Sequence, residues 1–79
     1  MHSAIQTKPL HLLEQVFAFD NDTWRVIGIG NADADGFTFF HFASTTRFRQ
    51  QRNGYIPVQI CDWMHPDMLQ ACAASSEAA

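Results

Sequence analysis

Arg47, Arg49 and Arg52 fall within six consecutive positions and stand beside Phe48 and Tyr55. Planar guanidinium groups suit carboxylates and phosphates alike, and the neighbouring rings add stacking surface, so this segment reads as a loop built to grip an anionic or planar group. Its bland counterpart is internal pairing: in an up-and-down meander the first turn and the third connection share one end, which places Asp20 and Asp22 near these arginines.

Other residues offer weaker chemistry. Cys61 and His65 are four apart, but two ligands make only half of a structural zinc site, and a thiol nucleophile needs a base within hydrogen-bond reach. Asn31, Asp33 and Asp35, followed by Gly36, match the first half of a calcium loop. The twelfth loop position is Phe42 where a bidentate Glu belongs, so the segment reads as a polar turn and only a weak metal candidate. Gly28 and Gly30 lack the third glycine and the following helix of a phosphate loop, and read instead as glycines that relieve crowding in a strand. No cofactor is expected. With no paired acid and base, metal set or nucleophile motif, the chain does not read as an enzyme.

The segment Gly36-Phe37-Thr38-Phe39-Phe40-His41-Phe42 resembles the aromatic strand signature of the RNA recognition motif, whose rings stack unpaired bases. The resemblance covers these residues alone. Asp35 stands where that motif has a basic residue, and the preceding strands leave no room for the helix that fold inserts, so the segment is taken as an aromatic strand outside that family. His41 within it is a side chain that can change charge between pH 5 and 8. If it lies at a subunit contact, association weakens in mild acid.

These groups need elements to hold them. Strand-like runs occupy residues 16–19, 24–30, 36–43 and 55–63, separated by clusters of turn formers: Asp20-Asn21-Asp22-Thr23 and then residues 31–36. Pro57 marks the last strand as an edge, where a missing donor harms no ladder. Residues 11–15 suit a short helical turn, and residues 66–72 a short helix with Pro66 in its first turn. Between the third and fourth strands, Ser44-Thr45-Thr46 reads as a cap on a helical turn ending at Asn53-Gly54. The competing reading is a hairpin through the same Asn-Gly pair. The expected fold is small and β-rich α+β: an antiparallel meander of about four strands with one or two short helices, as a small sheet or open roll. Residues 1–9 are expected to be irregular, 10–72 a single domain, and 73–79 a frayed tail.

Composition bounds the function. With 79 residues, the chain hides only roughly 60–65% of its unfolded surface. Ten aromatic residues, seven of them Phe, exceed what so small an interior needs. Both sides of the third strand are aromatic, Phe37, Phe39 and His41 on one and Phe40 and Phe42 on the other, whereas a sheet with one wet face alternates apolar and polar residues. A second cover is therefore expected, most simply a second copy in a homodimer or else another protein, with Phe40 and Phe42 joining Arg47, Phe48, Arg49, Arg52 and Tyr55 in the contact.

The formal charge of −3 argues against a general nucleic-acid binder, leaving phosphate contact by the three arginines as the alternative. Two cysteines and no leader-like start suit a reducing, cytoplasmic setting. The apolar runs are too short to span a membrane.

Overall fold

The computed structural model describes residues 8–72. Its centre is a four-stranded antiparallel sheet in the order β1-β2-β3-β4, a plain meander of Val16–Phe19, Asp22–Ala32, Thr38–Gln51 and Gly54–Met64. A 3-10 turn, η1 (Leu10–Leu12), precedes it and one short helix, α1 (Pro66–Gln70), follows. No helix among the described residues is long and apolar enough to cross a membrane.

Turn chemistry fixes the register. Asp20 and Asn21 link β1 to β2 with both φ angles positive, 51° and 59°, the two-residue geometry whose twist matches that of the flanking strands. Asp22 and Thr23 are thereby released to begin β2. Between β2 and β3, Asp33 Oδ1 accepts from the Asp35 and Phe37 amides at 2.9 and 3.0 Å, and Gly36 takes φ +90°. Asp33 thus acts as an internal cap for this turn. Among the described residues no three His, Cys, Asp or Glu side chains converge as metal ligands.

One face of the sheet is sealed. Phe17, Trp24, Val26, Phe40 and Phe42 point into it and are packed with Leu12 of η1 and Leu69 of α1. His65 starts α1 as its N-cap, its ring Nδ1 accepting from the Asp67 amide at 3.1 Å. The chain then runs to the β1 edge, where the Ala18 amide donates to the Cys72 carbonyl at 2.7 Å. That contact covers one of the two edges a flat sheet leaves open. The other edge is β4, which carries Pro57.

Two sequence expectations are corrected here. Phe40 and Phe42 have no exposed surface, because their parity on β3 is the one that faces η1 and α1, so they cannot meet a partner. The helical turn after Ser44-Thr45-Thr46 is absent. β3 instead continues to Gln51 and turns through Arg52 and Asn53 into β4, with Gly54 at φ +133°. Residues 1–7 and 73–79, which cover most of the expected irregular start and all of the expected frayed tail, lie outside the described residues.

Candidate functional site

The long third strand explains the site. β2 begins at Asp22, so β3 beyond Ser44 outruns its β2 partner and pairs only with β4. The result is a two-stranded arm. Every residue from 46 to 56 is exposed, and in this arm Phe48, Arg49, Gln50 and Gln51 stand opposite Pro57, Ile56, Tyr55 and Gly54.

The arm's root is an irregularity. Ser44, Thr45, Thr46 and Arg47 face the single residue Val58 of β4, three residues more than a regular ladder allows. Ser44 Oγ accepts from the Thr46 and Arg47 amides at 3.1 and 2.9 Å, so backbone donors freed by the bulge find a partner. These are the bonds an N-cap serine makes, used here to fold a bulge.

Asp22 clamps that root from β2. Its carboxylate accepts from Thr46 Oγ1 at 2.6 Å, Ser44 Oγ at 2.7 Å, Arg47 Nε at 2.8 Å and the Thr23 amide at 2.7 Å. The side chain is only 2% exposed. The Thr46 hydroxyl foremost, with those of Ser44, the Arg47 guanidinium and the Thr23 amide, holds this carboxyl well below the usual carboxylate range, against burial, which pushes it up. Thr23 and Thr45 bond through their hydroxyls beside it. Arg47 also lies 5.4 Å from the centroid of the Trp24 ring, whose Nε1 donates to the Phe19 carbonyl at 3.1 Å. Of the three arginines, Arg47 is thus structural, the internal pairing that the meander allows, whereas Arg49 and Arg52 stand on the exposed arm.

The second component is the face opposite the core. Residues alternate sides along β4, and Ile60 packs on the core side, so Tyr55, Pro57, Gln59, Cys61 and Trp63 share the open side. Their β3 neighbours there are Gln50, Phe48, Ala43, His41 and Phe39. Phe39 and Trp63 pack at 5.4 Å between ring centroids at one end of this row; Phe48 and Tyr55 stand at the other. Trp63 is 51% exposed, Phe48 55% and Tyr55 68%, and Cys61 lies exposed between them.

His41 sits mid-row, with Nε2 3.0 Å from Gln59 Oε1, opposite Cys61 on β4 and Gly28 on β2. Both strand glycines serve this face: a Cβ on Gly28 would meet His41 Cβ at 3.3 Å, and one on Gly30 would meet Phe39 Cβ at 3.2 Å. Cys61 and His65 are held apart, Cys61 on the open face and His65 capping α1, where its ring meets Phe37 edge-on at 5.5 Å.

The Asp22 contact with Arg47 is the internal pairing expected from the meander, whereas Phe39 with Trp63 as an exposed aromatic pair was not expected from the sequence. Compared with protein-family models, curated proteins and solved structures, the chain finds no match.

Proposed function

We propose that this chain is a small non-catalytic binding module that holds a protein partner through its open sheet face and arginine-bearing arm. One observation carries the reading: four large rings, those of Phe39, Phe48, Tyr55 and Trp63, stand more than a third exposed along one side of a sheet whose other side is sealed. Aromatic residues and arginine are the types enriched in protein interfaces, and contiguous apolar patches on a soluble domain mark contact sites. The Asp22 cluster supports the same reading, since it fixes the arm's root and leaves Arg49 and Arg52 for a partner.

Cys61 lies in the middle of this face and reports on its cover. In intact cells producing the protein, alkylation of Cys61 is expected to be several-fold slower than in the dilute purified chain. Cys72, half-buried at the β1 edge, is expected to react equally in both. Equal rates for Cys61 in cells and in dilute solution would overturn the reading.

A second reading rests on the arm's charge, because residues 46–56 hold three arginines and no acid. In it, Arg49 and Arg52 meet phosphates and Phe48 and Tyr55 stack unpaired bases. Affinity for a labelled single-stranded oligonucleotide would then fall steeply between low and moderate salt. A flat response rejects it.

A further inference from the structure

A strand position stands empty beside the arm. β2 pairs with β3 only as far as Trp24 with Ser44, while β3 runs on to Gln51. Along residues 46–51 the β2 side of β3 therefore has no strand neighbour among the described residues. An open cleft of about 540 Å³, lined in part by Asn21, Asp22 and Thr46, lies at the root of this notch.

The alternation of ladder bonds decides which backbone groups face the notch. Arg52 and Asn53 alone join Gln51 to Gly54, so that pair closes the hairpin with a hydrogen bond, and every second pair beyond it repeats the bonding. Arg49 then bonds Ile56, and the backbones of Phe48 and Gln50 turn away from β4. Pro57 agrees, since it stands opposite Phe48 and has no N–H to give. The β1–β2 hairpin obeys the same count: Ala18 turns outward there, and its amide meets the Cys72 carbonyl. The amides and carbonyls of Phe48 and Gln50 thus point into the notch and find no backbone partner among the described residues.

Side chains along the notch alternate in character. Phe48 and Gln50 stand on the open-face side of the arm, and Arg49, opposite Ile56, on the other. No Asp or Glu occurs in residues 36–61. Arg47 is taken by Asp22, but Arg49 and Arg52 meet no carboxylate among the described residues. Asp20 lies in the turn at the root, so the positive half of the notch is its tip.

We infer that this notch takes an extended segment of a partner protein as an added strand, with an acidic residue opposite Arg49 and apolar residues opposite Phe48 and Gln50. This rests on the binding-module reading and names what the arm holds. Main-chain bonds to Phe48 and Gln50 supply the grip, and alternate side chains supply the selectivity. The outer edge of β4 suits such a segment less. Pro57 lacks a donor there, and Asp62, with the inward parity of its neighbour Phe40, would repel an acid.

The test uses labelled eight-residue peptides of alternating Glu and Val or alternating Lys and Val, with fluorescence anisotropy as the readout. The parent chain is expected to bind the Glu peptide at least about tenfold more tightly than the Lys peptide, and Arg49→Glu, at an exposed position, is expected to reverse that order. Methylating alternate backbone nitrogens of the Glu peptide on its bonding edge is expected to abolish binding. Hydrogen exchange at the Phe48 and Gln50 amides is expected to slow in the complex. Equal affinity for the two peptides, or undiminished binding of the methylated one on either edge, overturns the added strand. Failure of both peptides while Cys61 is still protected in cells overturns the added strand and leaves the binding reading standing. Loss of that protection as well overturns both. A single-stranded oligonucleotide that binds where the Glu peptide fails overturns the added strand in favour of phosphate contact.

Discussion

Arg47 Nε donates to Asp22 Oδ2 at 2.8 Å across the 25 residues that separate them in sequence, and this bond ties the root of the arm to the first residue of β2. Around it, Ser44 and Thr46 donate to the same carboxylate. The arm projects from a fixed base because a bulge, a form of irregularity that re-aims a strand, has its spare backbone and side-chain donors satisfied by one residue each, Ser44 and Asp22.

The Asp22 clamp has a pH signature. Its carboxyl is depressed in the folded chain, so on acidification the unfolded chain takes up the proton first. The stabilisation is whole above the unfolded value, near about 3.9, and is lost as pH falls from there toward the folded value. Asp22→Asn is expected to melt at lower temperature than the parent near neutral pH. The gap between the two is expected to narrow below about pH 4, and thermal melts across that range check it. A gap that widened in acid would contradict the assignment.

Core and open face separate in their response to truncation. Phe42→Ala removes a ring with no exposed surface and is expected to lose about 3–5 kcal/mol, enough to unfold much of so small a domain. Trp63→Ala gives up only its packing on Phe39 within one copy, about 1 kcal/mol, while weakening association. Denaturant unfolding of both variants at a concentration where the parent is monomeric measures the contrast.

Gly30→Ala probes the close approach of β2 to the aromatic row. The new Cβ would meet Phe39 Cβ at 3.2 Å and the Phe39 carbonyl oxygen at 3.3 Å. Backbone cannot swing aside as a side chain can, so a loss of about 1–3 kcal/mol is expected. The Phe39 and Trp63 ring resonances are expected to shift with it, which proton NMR reads directly.

Much of this fold was legible because local signals agreed with tertiary ones. Asp20-Asn21 favours the left-handed pair its hairpin needs, Pro57 belongs on an edge, and Pro66 belongs in a first helical turn. Ser44 misled for a physical reason: its hydroxyl binds the amides two and three residues on, as an N-cap does, and only distant pairing with β4 decides that the chain continues as strand. The inward parity of β3 was equally hidden. With rings on both sides, alternation shows that two faces exist, and the placement of η1 and α1, which is a long-range matter, decides that Phe40 and Phe42 go in while Phe39 stays out.

Salt separates the two sources of association. Rim charges act mainly on rate and orientation and are screened within about 8 Å at physiological ionic strength, whereas ring burial is not. Raising salt is expected to leave any association through the open-face rings present, while Tyr55→Ala combined with Trp63→Ala is expected to abolish it at any salt. Sedimentation velocity at low and high salt distinguishes these effects.

Sedimentation equilibrium of the parent chain over a wide dilution series tests the proposal that the open face is built to be covered, most simply by a second copy. The expected mass approaches twice 8.9 kDa as concentration rises. A mass of 8.9 kDa at every concentration, from a chain that binds no dye for exposed apolar surface, would contradict it.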